Sequence, residues 1–149
     1  VHHKIPFRNF ADRDDANQLN NLVTLCPSCH RQAEQNVRMR SGLAGLAAVL
    51  GHLAPLYLMT DSRDLGVFAD PAWAAAEGMP SVVLYDQVPA GIGFSQKLFE
   101  MQETLLASAL QLVKECGCKD GCPSCVGPGG ENGSGGKRET LAILRELVG

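Results

Sequence analysis

The densest chemistry in this 149-residue chain lies in ten residues, Cys116-Gly117-Cys118-Lys119-Asp120-Gly121-Cys122-Pro123-Ser124-Cys125. They hold four of the six cysteines, at the spacing C-x-C-x3-C-x2-C. Four thiolates converging on one point satisfy tetrahedral zinc, and Cys-x2-Cys is the commonest knuckle step. Glycine and proline stand where a tight knuckle needs unusual dihedrals or a rigid turn. The competing reading is a pair of disulfides, but crowded cysteines in a chain with no secretory pattern favour metal. A closed four-cysteine site leaves no coordination position for a substrate, so the chemistry expected here is structural.

A second ligand-rich set is spread over the first thirty residues: His2, His3, Cys26, Cys29 and His30. With a helix starting near Pro27, His30 and Glu34 are four apart and share a face. Weaker signals lie elsewhere. Asp61, Asp64 and Asp86 fall near strand ends, where turn and cap roles are more common than a carboxylate metal site. Gly91 and Gly93 give only G-x-G, short of a phosphate cradle. Gly136-Lys137 looks like a P-loop ending, yet Glu131 stands at the first glycine position and Arg138 replaces the required Ser or Thr.

The elements that would hold these residues can be read from periodicity. A short β-hairpin with a long polar loop leads to the helix from Pro27. A second helix is expected from Ser41, with Leu43, Leu46, Ala47, Leu50 and Leu53 at helical spacing and Pro55 ending it. Leu56 to Met59 reads as a buried strand, Leu65 to Phe68 as another, and residues around Trp73 as a small Ala-rich helix. Ser81 to Asp86 is the clearest strand. A long amphipathic helix should then run from about Gly93 to Glu115, with Phe94, Leu98, Met101, Leu105, Ala109 and Leu112 as its stripe, and deliver the chain into Cys116. Residues 127–136 form a Gly-rich loop, and Lys137 to Val148 a closing helix. The fold class is α+β: a small mixed β-sheet packed by a long amphipathic helix, with the zinc knuckle and an N-terminal ββα segment.

Length bounds the chain to one domain, or one domain with a small appendage. It is 45% hydrophobic and 19% charged, which suits a globular core, and no apolar run reaches the roughly 18 residues that would span a bilayer. Net charge is −3, so no global basic field marks nucleic acid. The charge is uneven: Lys and Arg number six against four Asp and Glu in residues 1–40, two against seven in 41–113, and five against five in 114–149. Phosphate contacts are therefore expected at the two ends. Because Val1 is followed at once by a dense motif, a piece of a longer protein is expected.

Residues 1 to about 36, with a His-His-x-x-Pro start, an Asn, and Leu-Cys-x-x-Cys-His, resemble the HNH, or ββα-metal, motif. That resemblance implies His3 as the general base, His2 and His30 as ligands to a divalent cation such as Mg or a second zinc, and Glu34 as a third ligand. It implies Asn21 as a brace for the hairpin. Zinc-containing members complete a structural site with a further Cys-x2-Cys upstream. Cys26 and Cys29 are then half of such a site, or partner His2 or His3.

From about Gly42 onward the chain resembles the zinc-binding domain that closes MrfA-type DEAD/DEAH-box helicases. Asp61-Ser62-Arg63-Asp64-Leu65-Gly66, Leu84 through Gly93, and the cysteine signature ending Gly121-Cys122-Pro123-Ser124-Cys125 carry it. The implied organisation is an HNH-like segment at 1–40 and a helicase-associated zinc domain at 41–149. The implied setting is a cytoplasmic, ATP-dependent DNA helicase acting in repair, with structural zinc on Cys116, Cys118, Cys122 and Cys125, and ATP bound only by a motor that these residues lack. Partners would be DNA and the upstream remainder of the same polypeptide, with no membrane. The competing reading is a metal-dependent HNH endonuclease module. A protein-docking module is the third.

Overall fold

A computed structural model of the chain describes residues 1–5, 7, 10–88, 91, 93–128 and 136–149. The order is β1 (His2–His3), α1 (Arg13–Ala16), β2 (Leu22–Val23), α2 (Pro27–Leu58), β3 (Leu65–Trp73), β4 (Met79–Asp86), α3 (Phe94–Glu100), α4 (Gln102–Glu115) and α5 (Lys137–Val148). The fold is α+β. Both ladders are antiparallel hairpins, β1 with β2 and β3 with β4, so the sheet expected as mixed is antiparallel.

The organising element is α2, one helix of 32 residues. Pro27 at its first position is pre-set for helix, and the Cys26 Sγ accepts from the Cys29 N–H at 3.4 Å to cap it. No break separates this helix from the one expected to begin at Ser41. Residues 31–40 hold no breaker, and the glycines beyond Ser41 are contact points rather than stops. An ideal Cβ on Gly45 would lie 2.1 Å from Thr140 Oγ1, and one on Gly42 would lie 2.7 Å from Ile143 Cδ1. Bare backbone there lets α5 pack directly on α2, and the Thr140 hydroxyl donates to the Gly42 carbonyl at 3.3 Å.

Pro55 does not end α2 either. It sits in the last turn, where its carbonyl accepts from the N–H groups of Met59 and Thr60. Leu56 to Leu58 are therefore helical, not the expected strand, and Met59 closes the helix in the left-handed conformation at φ 54°. By length and composition alone α2 could cross a bilayer. Its apolar residues instead form the core: Leu46, Val49, Leu50, Leu53, Ala54 and Leu58 pack with Leu98, Leu105, Ala109, Val113 and Leu144.

β3 and β4 lie against that core. Their register runs from Leu65 opposite Asp86 to Asp70 opposite Ser81, with an irregularity before Trp73 opposite Met79. β3 is longer than expected and takes in Trp73, leaving only a short 3-10 turn at Ala74–Ala76. The helix expected from Gly93 to Glu115 is two, broken at Met101 (φ −109°, ψ 14°). The break lets Leu98 on α3 and Leu105, Ala109 and Val113 on α4 all reach the core. In the Gly-rich turn before α3, Pro89, Ala90 and Ile92 lie outside the described residues, as do 129–135 of the Gly-rich loop.

The acidic positions of the Asp61–Gly66 and Tyr85–Gly93 motifs are turns and caps. Asp61 caps a 3-10 turn, accepting from the Arg63 N–H at 2.9 Å and pairing with its guanidinium at 3.0 Å. Asp64 accepts from the Thr60 hydroxyl at 2.6 Å, and Asp86 Oδ1 from the Ser95 N–H in the first turn of α3 at 2.8 Å. Gly66 is required by contact, since a Cβ there would sit 2.1 Å from Tyr85 Cζ.

Candidate functional site

α4 ends at Glu115 and hands the chain to the first of the four cysteines. The Cys116 N–H still bonds the Leu112 carbonyl at 3.1 Å, so the knuckle begins in register with the helix. Cys122 and Cys125 share one tight turn: the Cys125 N–H donates to the Cys122 carbonyl at 3.0 Å and the Cys122 N–H to Cys125 Sγ at 3.3 Å. The result is four converging sulfurs. Cys116 lies 3.5 Å from Cys118 and 3.6 Å from Cys122, and Cys125 lies 3.5 Å from Cys118 and 3.6 Å from Cys122.

Tetrahedral zinc with sulfur at about 2.3 Å puts its ligands about 3.8 Å apart, close to this spacing and far from a disulfide bond of about 2.05 Å. All four are free thiols. Cys125 is fully buried and belongs to the core with Val126, and the other three pack against it. Burial pushes the Cys125 thiol up to about 12, the Cys122 N–H pulling the other way and the neighbouring thiols adding to the rise. A metal reverses that balance by displacing the proton outright. The donor set of four thiols fits structural zinc.

One partner of this site has no counterpart in the motif. Lys137, only 9% exposed, opens α5 and donates from Nζ to the carbonyls of Cys116 at 2.6 Å and Cys118 at 2.8 Å. A lysine in the first turn of a helix is at the unfavourable end of its dipole. Four thiolates around a divalent zinc would leave a net negative charge, which would supply the compensation. The usable sequence signal was that misplacement: a Gly-Lys pair opening a helix, without a phosphate motif around it.

At the other end of the molecule β1, β2 and the first turns of α2 come together. His2 pairs with Val23 and His3 with Leu22 across the ladder. Asn21, 7% exposed, closes the intervening loop by accepting from the Ile5 N–H at 2.8 Å and donating to the carbonyls of Ile5 at 3.2 Å and Ala16 at 2.8 Å. This bracing presents His2 edge-on to His30, ring centres 5.2 Å apart, with His2 Nδ1 3.9 Å from Glu34 Oε1. One ligand atom from each of His2, His30 and Glu34 lies within 4.8 Å of the others. Two nitrogens and one carboxylate oxygen suit a divalent cation and leave coordination positions open.

His3 stands beside this triad. Its Nε2 donates to Asn17 Oδ1 at 3.0 Å, which fixes the ring beside the group. Cys26 and Cys29 do not join the triad. They sit exposed at the start of α2, and the Ser28 hydroxyl at 3.0 Å, with the Cys29 N–H, lowers the Cys26 thiol to about 7. The second set of expected ligands thus divides into a His-His-Glu group and an exposed Cys-Cys pair. Asp61, Asp64 and Asp86 form no metal-capable group among the described residues.

Residues 46–126 match the family described as the MrfA Zn-binding domain, and residues 1–36 the family described as HNH endonuclease. An ATP-dependent helicase of Bacillus subtilis, YprA, is 38% identical over 105 residues, 70% of this chain but 14% of that protein. A Methanocaldococcus jannaschii protein, MJ1572.1, is 30% identical over 76 residues, 50% of this chain and 68% of its own length. Among solved structures, the DUF1998 helicase MrfA bound to DNA superposes with a TM-score of 0.66 at 34% identity, over 74% of this chain and 14% of that one. Its complex with DNA and AMPPNP gives 0.61 at 35% identity, over 71% and 14%. The chain therefore spans about one seventh of the helicases it matches.

Proposed function

Because the chain belongs to the MrfA Zn-binding domain family, we propose that it serves as the zinc-stapled accessory part of an ATP-dependent DNA helicase that works in DNA repair, supporting or positioning DNA at the motor. The observation that carries this is the four-sulfur cluster built into the core at the end of α4. Zinc in this role holds shape. Cys116, Cys118, Cys122 and Cys125 fix the end of α4 to the start of α5 through Lys137, so the domain offers the rest of its polypeptide a rigid surface. The relatives named as helicases, and those solved on DNA, support DNA as the partner reached through the parent protein. Six cysteines without a disulfide fit a reducing, cytoplasmic compartment.

The deciding experiment compares full-length protein with and without the domain's zinc. Chelation or Cys122→Ser should depress DNA-stimulated ATP hydrolysis and unwinding, while ATP binding persists. Unchanged unwinding by zinc-free protein would sink the accessory role.

A second reading rests on the His2–His30–Glu34 group with His3 beside it. In it the N-terminal segment is a metal-dependent endonuclease module: His3 would take a proton from the water that attacks phosphorus, the P–O bond to the leaving sugar oxygen would break, and His2, His30 and Glu34 would hold a divalent cation able to supply charge stabilisation. Loss of Mg²⁺- or Mn²⁺-dependent plasmid nicking in both His3→Ala and His30→Ala is expected. Unaltered nicking by either variant removes this reading and leaves the zinc reading intact.

A further inference from the structure

The arginines at the two ends of the sequence meet in one place. Arg38 and Arg40 from α2 and Arg138 from the first turn of α5 line a cleft of about 700 Å³, together with Gln35 and Asn36. Its apolar lining includes Pro71, Pro80 and Ile143. Among the described residues the only carboxylate lining it is Glu139. None of the three arginines has an ion-pair partner among the described residues, where the ion pairs are His2 with Glu34 and Arg63 with Asp61.

Three like charges gathered on one cleft repel, and the walls of lower dielectric strengthen their field. An anion relieves that. Guanidinium groups fit phosphate oxygens in pairs, which a simple point charge does not. Among the described residues no aromatic side chain lines the cleft, which leaves it without an aromatic platform for a base. The ligand that fits is a phosphodiester backbone read without regard to sequence.

We propose that this cleft docks the DNA backbone, with Arg38, Arg40 and Arg138 each neutralising one phosphate. The choice of DNA among polyphosphates rests on the accessory reading above; the cleft itself does not. Its three arginines fall outside the 46–126 zinc-binding match, so α2 and α5 extend a zinc-stapled core into a nucleic-acid surface. Arg38 is also four residues, about 6 Å, along α2 from Glu34. A strand with phosphates every 3.4 Å or so along its axis could occupy the cleft and still pass the His2–His30–Glu34 group.

The test is fluorescence anisotropy of the zinc-loaded full chain with labelled single-stranded and duplex oligonucleotides across a KCl series. Arg38→Gln, Arg40→Gln and Arg138→Gln should each weaken binding equally for all sequences. Each should lower the slope of log affinity against log salt by about 0.7 on single strands or about 0.9 on duplex. Glu139→Gln should tighten binding, and Arg63→Gln should leave the slope alone. Because the arginines are exposed, zinc content and thermal melt should match the parent chain. Slopes unchanged in all three arginine variants, with the parent chain still binding, overturn the cleft and spare the accessory reading. No DNA binding by the parent chain overturns the cleft and the DNA part of that reading, while leaving the zinc staple standing.

Discussion

The two metal-capable clusters among the described residues differ in how their ligands are brought together. In the C-terminal knuckle all four come from ten consecutive residues, one of them fully buried, and the backbone of the turn aims them. In the N-terminal group, His2 arrives on a two-residue strand and His30 and Glu34 on a helix, so the cluster exists only if hairpin and helix dock. The knuckle offers a full set of four ligands, one fully buried and three half-buried, and is backed by a lysine. The triad is half-buried, short of a full ligand set, and flanked by His3. Enclosure suits a metal that holds a fold, and open coordination suits one that meets a substrate. The contrast can be broken or sharpened in three ways.

The largest effect should follow Cys125→Ser. Structural zinc contributes on the order of 10 kcal/mol to small metal domains, so zinc stoichiometry should fall below one and the cooperative melt should collapse. His30→Ala should leave both nearly untouched. A chelator that removes zinc without moving the melt would erase the distinction between the clusters.

An intermediate effect is expected for Lys137→Met. Removing the charge and two hydrogen bonds that organise the knuckle carbonyls should weaken zinc by about 10- to 100-fold in competition with a chromogenic chelator, as for other outer-shell partners. Lys137→Arg should restore part of it. A fall in melting temperature at unchanged zinc affinity would mean that Lys137 merely fills space.

The smallest effect concerns thiols rather than stability. The Cys26 thiol, held at about 7 and exposed, should alkylate with iodoacetamide at neutral pH and slow as pH falls below that value and the thiolate is protonated. Buried Cys125 should stay unlabelled in the zinc form. Mass mapping of the labelled cysteines checks both.

What the sequence made legible follows from locality. The knuckle, α5 and β4 are each encoded by neighbouring residues, and their extents agree closely with pattern and spacing. The errors lie where distant contacts decide. Ser41 carries a capping signal, yet it lies mid-helix because Thr140 and Ile143, a hundred residues on, pack over Gly42 and Gly45. Leu56 to Leu58 form a short apolar run, which periodicity alone cannot assign to strand or helix. The break at Met101 answers to the shape of the core, not to a local breaker. Lys137 was visible but carried no meaning until the carbonyls of Cys116 and Cys118 were placed beside it. The arginine cleft needed two helices to cross.

The continuity of α2 has a mechanical corollary. Each residue of an α-helix turns the chain by 100° and advances it 1.5 Å, so the angle between the His2–His30–Glu34 group and the zinc knuckle is set by a residue count. One residue inserted between Asn36 and Ser41 would swing the N-terminal segment by about 100° and take Glu34 out of line with the arginine cleft. Seven would bring it back to within about 20° of its original heading, about 10 Å farther away. The helix behaves as a threaded rod, on which orientation and distance cannot be adjusted independently.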